Sequence, residues 1–152
     1  MSEQFKPTPA AQDLSLLGDE HVRVYRETNG EKGYLWNGAP TLLLTTKGRK
    51  SGEPRTIPII FTPVGDKWII IASRGGSPTH PKWYLNLSDE PKVQIQVKGD
   101  VYDAVARTAP SPEREKLWAE AVKIWPSFDI YQTRTTRQIP VVVIEPVRKL
   151  SK

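Results

Sequence analysis

Three apolar, β-branched stretches follow one another between residues 41 and 73 with no space for a helix between them. They cover 41–46 (TLLLTT), 55–64 and 68–73 (WIIIAS), joined by KGRKSGEP and GDK. Parallel neighbours need a crossover of about a dozen residues or more, usually a helix. These strands are therefore expected to be antiparallel, and a doubly wound parallel sheet is disfavoured. Proline lacks a ladder donor, so Pro58 marks the second strand as an edge or a bulge. The unbroken apolar run of the third predicts burial on both faces.

Downstream, residues 92–98 (KVQIQVK) alternate as a half-buried strand does, Gly99-Asp100 turns the chain, and 101–108 pairs back. Residues 139–145 (IPVVVIE) form a last strand. Helices are expected over 13–29, interrupted near Gly18 and stopped at Asn29-Gly30, over 81–87, and over 111–125. The last should open on Ser111 as N-cap with Pro112 in the first turn. Six strands and three helices predict an α+β, mainly β domain, a mostly antiparallel barrel with flanking helices. Residues 1–12 read as a loose leader and 13–152 as the single domain.

Composition narrows the chemistry. The 152 residues contain no cysteine, which removes thiolate nucleophiles, iron–sulfur clusters and cysteine zinc sites. His21 and His80 are the only histidines, so no metal is expected and a Ser–His–Asp hydrolase is disfavoured. His80, between prolines, is read as a surface or capping residue. No apolar run approaches the ~20 residues of a membrane span, and residues 1–10 lack a signal peptide's pattern. The chain is expected to be cytoplasmic. Leu14, Leu16 and Leu17 suggest core packing ahead of a weak surface contact.

The net charge of +5 is confined to one stretch. Residues 47–82 hold seven basic side chains (Lys47, Arg49, Lys50, Arg55, Lys67, Arg74, Lys82) against Glu53 and Asp66, and the remainder is balanced. A local anion site is favoured over a nucleic-acid coat, so no nucleic-acid partner is expected. Within that stretch GRKSG places two glycines, two cations and the Ser51 hydroxyl in one turn, with Arg55 just beyond. Such a turn can cradle phosphate or carboxylate oxygens, although a solvated basic hairpin is an equal account. It is no Walker loop, because the spacing and the following helix are missing. The third strand ends in Ser73-Arg74-Gly75-Gly76, where glycines admit close approach of a ligand. Trp83 and Tyr84 offer an aromatic wall or core packing.

Five segments in order (LLLTTKGRKSGEPR, ASRGG, HPKWYLNL, PKVQIQVKG and IPVVVIEP) resemble the deazaflavin-dependent nitroreductase family, the actinobacterial coenzyme F420-dependent nitro and quinone reductases. The resemblance spans about residues 33–146. It implies a split β-barrel of the pyridoxamine-phosphate-oxidase-like kind. The implied cofactor is coenzyme F420, an 8-hydroxy-5-deazaflavin with a phosphate and an oligoglutamate tail, with FMN as second choice. The resemblance assigns the tail to Arg49, Lys50, Ser51, Gly52 and Arg55. It assigns the ring and its surroundings to Pro58, Ile59, Ile60, Ala72, Ser73, Arg74 and Gly75, with Trp83, Tyr84 and Asn86 closing the pocket. Phe128 and Tyr131 line the acceptor side, with Tyr131 as the candidate catalytic residue. Phe128 stands where the resemblance to the family's nitro-drug reductase leads one to expect a tyrosine.

The function implied is hydride transfer from reduced deazaflavin to a small electron-poor acceptor (a quinone, enone or nitroaromatic). The alternative is a deazaflavin- or FMN-binding barrel without turnover. Related barrels imply a monomer or homodimer, and the family includes members with peripheral membrane association.

Overall fold

A computed structural model describes residues 18–150, so the leader 1–12, the start of the first helix and the three leucines at 14, 16 and 17 lie outside the described residues. Helix α1 (Gly18–Glu27) is followed by strands β1 (Leu35–Trp36), β2 (Ala39–Lys47), β3 (Pro54–Ile60), β4 (Thr62–Val64) and β5 (Lys67–Ile71). A 3-10 turn (Arg74–Gly76) leads into α2 (Lys82–Asp89), then β6 (Lys92–Val97) and β7 (Asp100–Thr108). Helices α3 (Glu113–Ile124) and α4 (Ser127–Thr133) precede β8 (Val141–Lys149). Every strand pairing is antiparallel, in the order β1-β2-β6-β7-β8-β5-β4.

The strand expected over 55–64 divides at Phe61, whose N–H donates to the Pro40 carbonyl at 3.1 Å. Its first half, β3, pairs only with β2, and its second half, β4, pairs only with β5. One segment thus ties together the two ends of the curled sheet and leaves a split between β3 and β5. Pro58 sits on the edge strand, opposite Leu43. This division, with the two-residue β1, makes eight strands where the sequence predicts six.

Two apolar clusters flank the sheet. Ile70, Val142 and Ile144 join Leu42, Leu44, Phe61, Val93 and Ile95 inside the barrel. Their neighbours Ile69, Ile71, Val141 and Val143 turn outward, beneath Leu117 and Ala121 of α3 and Trp125 and Phe128 beyond it. Side chains alternate along a strand, so a strand clad on both faces reads as a continuous apolar run. That is why WIII and VVVI have no polar positions. On the other side, Val22 and Tyr25 of α1 pack on Leu43. Gly30 stops that helix, its N–H closing on the Tyr25 carbonyl at 2.8 Å with a left-handed φ of 81°.

The helix ends correct two expectations. Ser111 does not cap α3: Pro112 occupies that position, and the Ser111 hydroxyl donates instead to the Glu115 carboxylate at 3.1 Å. Helix α4 is additional. Among the described residues no helix is long and apolar enough to cross a membrane.

Candidate functional site

The split between β3 and β5 opens into a cavity of about 570 Å³. Its walls are Ile57–Ile60 of β3, Ile71 of β5, the 73–75 loop, Trp36, Trp125, Phe128 and Tyr131. A second cavity of about 510 Å³ lies beside it, lined by Thr46, Gly48, Arg49, Lys50, Ser51, Arg55 and Asn86. Ile57, Lys82 and Trp83 line both, so the two form one groove, apolar at one end and cationic at the other.

The cationic end is built by the β2–β3 turn. Gly48 N–H donates to the Glu53 carbonyl at 2.8 Å and Gly52 N–H to the Gly48 carbonyl at 2.7 Å. A Cβ on Gly48 would stand 2.8 Å from Ser51 Oγ and 3.0 Å from the Glu53 carbonyl, so this turn closes only around glycine. Ser51 Oγ accepts from Glu53 N–H at 3.1 Å and from Arg55 Nη2 at 3.3 Å, leaving its own proton for a ligand. Asn86 of α2, 7% exposed, braces the turn from beneath. Its Oδ1 accepts from Arg49 N–H at 3.1 Å while its Nδ2 donates to Thr46 Oγ1 at 3.1 Å. Arg49, Lys50, Arg55, Arg74 and Lys82 have no carboxylate within ion-pair distance among the described residues, whereas Arg23, Arg107 and Arg148 are each paired. A concave cluster of unpaired cations around backbone N–H groups is what an anionic ligand requires.

At the apolar end, Arg74, Gly75 and Gly76 take successive left-handed φ values of 46°, 64° and 87°. For Arg74 that conformation is costly and needs outside support. Arg137 supplies it. Its guanidinium donates to the carbonyls of Ser77 at 2.8 Å, Ala72 at 3.2 Å and Ser73 at 2.8 Å, and to His80 Nδ1 at 3.0 Å. Arginine has no acceptor, so His80 Nδ1 is unprotonated in this bond. Partial burial and the adjacent Arg137 charge hold His80 below the ordinary histidine pKa. The same loop packs on α4: a Cβ at Gly76 would lie 2.6 Å from the Tyr131 carbonyl.

The far wall is aromatic. Trp36 and Trp125 stand 5.6 Å apart and Phe128 meets Tyr131 edge-on at 6.1 Å. Trp125 Nε1 donates to Tyr131 Oη at 3.3 Å. An indole N–H only donates, so Tyr131 accepts there and its phenolic proton stays uncommitted.

Of the residues singled out from the sequence, the groove gathers Arg49, Lys50, Ser51, Arg55, Pro58, Ile59, Ile60, Ser73, Arg74, Gly75, Trp83, Asn86, Phe128 and Tyr131. Three fall outside it. Gly52 lines a shallower recess with Pro54 and Lys92, and Ala72 is fully buried with its carbonyl on Arg137. Tyr84 stacks on His80 at 4.9 Å and shares a 2.8 Å hydrogen bond with Thr108. Sequence reasoning assigned no role to His21, Trp36, Thr41, Ile57 or Lys82, all of which line the groove, and Trp125 entered only as the start of the stretch leading to Phe128 and Tyr131. Lys82 alone carried a signal, as the last cation of the basic stretch.

The sequence profile of the family described as F420H(2)-dependent quinone reductase matches residues 18–146. An F420H(2)-dependent quinone reductase of Mycobacterium tuberculosis is 39% identical over 128 residues, which cover 82% of this chain and 86% of that protein. A solved F420-H2 dependent reductase is 41% identical with a TM-score of 0.66, covering 70% of this chain and 94% of the other. A structure described as a domain-swapped dimer is 34% identical with a TM-score of 0.69, over 91% of this chain and all of that one.

Proposed function

The chain belongs to the F420H(2)-dependent quinone reductase family, and from that premise we propose that it is an oxidoreductase using coenzyme F420 to reduce electron-poor acceptors, quinones first among them. The observation that carries this reading is the two-part groove: an apolar cavity for a planar ring and an acceptor, continuous with a cradle of unpaired cations. The residues suit the coenzyme on both counts. The polyanionic phosphate and tail match Arg49, Lys50, Arg55 and Lys82, with the Ser51 proton and the N–H groups of the glycine turn beside them. The ring matches Pro58, Ile59, Ile60 and Trp83, against the backbone of Ser73, Arg74 and Gly75. When bound, the reduced coenzyme supplies a hydride.

The protein's share is orientation, exclusion of water and control of a proton. Apolar walls around a cavity of about 570 Å³ suit a ligand of small-molecule size and keep water from the reacting face. Trp125 Nε1 occupies the Tyr131 hydroxyl oxygen as an acceptor, which leaves the phenolic proton available to a ligand. Tyr131 thereby donates a hydrogen bond to an acceptor oxygen as negative charge develops there. Phe128 makes this wall less polar than a second tyrosine would, which favours quinones over nitro drugs. We extend to this chain, as a proposal, the homodimeric state of the domain-swapped relative, measurable by light scattering.

The test is titration of the purified protein with oxidised F420 and with FMN, followed by steady-state oxidation of reduced F420 with menadione. Micromolar F420 affinity that weakens with salt is expected, and Lys50→Ala and Arg55→Ala should each weaken it about tenfold. Wild-type affinity in both variants would remove the tail from this cradle. F420 binding without menadione reduction would leave a carrier instead of an enzyme.

A further inference from the structure

His21 is the one histidine in the groove, and no role has yet fallen to it. It sits on α1, is 3% exposed, and lines the apolar cavity with Gly18, Trp36 and Thr41. Its Nε2 lies 2.7 Å from the Gly33 carbonyl. A carbonyl cannot donate, so Nε2 carries a proton, and the second ring nitrogen is the one able to exchange. That nitrogen, Nδ1, has no protein hydrogen-bond partner among the described residues. Nor is it sealed away: the single fully buried, unpartnered side-chain polar atom among them is Asn37 Oδ1. His21 is a wall residue of the apolar cavity, and that cavity is the space from which a ligand would reach Nδ1.

A merely structural histidine here would satisfy both nitrogens or present carbon to the cavity. Gly33 reinforces the arrangement. Its φ is 97°, and a Cβ there would come within 3.0 Å of His21 Cδ2 and 3.1 Å of Nε2, so the backbone is held against the ring edge. The Thr41 hydroxyl, 2.7 Å from the same carbonyl, packs beside it. The ring is therefore anchored at one nitrogen and available at the other.

We propose that His21 is a catalytic residue that delivers the proton to the acceptor through Nδ1, an assignment that rests on the reductase reading above. The acceptor gains a hydride, and with it both electrons, from the reduced coenzyme. The Nδ1–H bond of the imidazolium breaks and an O–H bond forms on the acceptor, giving quinol from quinone. The ring is left as the neutral Nε2–H tautomer, the form that the Gly33 carbonyl selects, and takes its next proton from solvent. Tyr131 holds an acceptor oxygen from another element. The charged and titratable groups sharing the cavity are Arg74, Lys82 and Tyr131. On its own helix Asp19 and Arg23 are exposed and Glu20 half-buried, while the Tyr25 ring stands 6.4 Å away.

Two variants separate chemistry from architecture. His21→Gln places an amide N–H where Nε2 was and keeps the Gly33 bond but has no proton to cycle. His21→Asn reaches the Nδ1 position and forfeits the Gly33 bond. In His21→Gln, wild-type melting temperature and F420 affinity are expected, with kcat for menadione down about 100-fold. A His21→Gln enzyme whose kcat for menadione stays within twofold of wild type would overturn the proposal.

An independent readout needs no turnover. In histidine-labelled protein, menadione should move the His21 Nδ1 nitrogen resonance and leave that of His80 in place, with His21→Gln providing the assignment. An unmoved His21 signal under saturating menadione also overturns it. If wild type turns over no acceptor while the His21 signal responds, the reductase reading fails instead and Nδ1 is a ligand-binding group only.

Discussion

Asn86 offers the sharpest test of the cationic cradle, because two substitutions there pull stability and affinity apart. In Asn86→Ala, Arg49 N–H and Thr46 Oγ1 both lose their 3.1 Å partners. Arg49 is exposed and its N–H can turn to water, but Thr46 is 2% exposed and its oxygen cannot. One orphaned buried polar group costs about 1–3 kcal/mol. For a domain of this size that is a fall of roughly 2–12 °C in melting temperature. Affinity for F420 should fall with it, since the turn loses its brace. Asn86→Asp behaves differently. A carboxylate still accepts from Arg49 N–H, and Thr46 can rotate its hydroxyl to donate, so the turn stays in place. The new negative charge, however, sits at the floor of the anion site. At ~7 Å and an effective dielectric of about 40 it opposes a ligand phosphate by about 1 kcal/mol, or roughly fivefold in affinity. The assays are thermal melts and F420 titrations at two ionic strengths. Asn86→Asp should melt near wild type, bind more weakly, and show a shallower salt dependence. If Asn86→Asp binds F420 as tightly as wild type, the anion does not lie in this turn.

Gly76→Ala would drive a methyl into the Tyr131 carbonyl, 2.6 Å from the Cβ position, and into Arg134 Cβ at 2.9 Å. Turnover should fall at least tenfold while salt-dependent binding of the tail persists, as activity and titration together would report. For His80, the folded pKa lies below the unfolded one, so the unfolded chain binds more protons in the window beneath about 6.5. That contribution to stability is present above the unfolded pKa and is lost as pH falls through the folded value. Urea midpoints between pH 5 and 7 should show it, and His80→Gln should flatten the slope. Burial pushes the Tyr25 hydroxyl up to about 12. Stability should therefore fall between about pH 10 and 12, with one tyrosine ionising late in an ultraviolet titration. Tyr25→Phe, which strands Lys98 N–H (2.8 Å) and the Thr41 carbonyl (3.0 Å), should cost about 2 kcal/mol in denaturant unfolding.

What could be read in the sequence depended on whether the signal was local. The β2–β3 hairpin was legible because KGRKSGEP carries its own turn chemistry between two apolar runs. The doubly clad strands β5 and β8 were legible because burial on both faces erases alternation over consecutive residues. The Phe61 break was not. It depends on a hydrogen bond to Pro40, a residue twenty-one positions earlier whose placement only the closed barrel decides. The two residues of β1 carry no period to detect. Helix α4 is seven residues long and begins behind Pro126, too short for a face to emerge. Arg137, which fixes four groups of the 72–80 loop, looks in the sequence like one cation among twenty-two.

The same distinction explains why the cationic end of the groove was legible in the sequence and the apolar end only in part. Binding a polyanion takes charge, and charge concentrated in one turn is visible without a fold. Handling the acceptor takes a dry cavity with one or two polar atoms facing it, assembled from elements far apart in the chain. Trp36, His21, Trp125 and Tyr131 come from β1, α1, the end of α3 and α4, and nothing in their local sequence marks them as neighbours. Tyr131 and His21 share a trait that appears only in their hydrogen bonds. Tyr131 spends its oxygen on Trp125 and keeps its proton, while His21 spends Nε2 on Gly33 and keeps Nδ1. A fold stabilised by satisfying buried polar groups leaves such atoms unspent at a cost. Two such atoms on residues lining one apolar cavity, beside a cluster of cations with no carboxylate partner among the described residues, set that end of the groove apart from the cationic end.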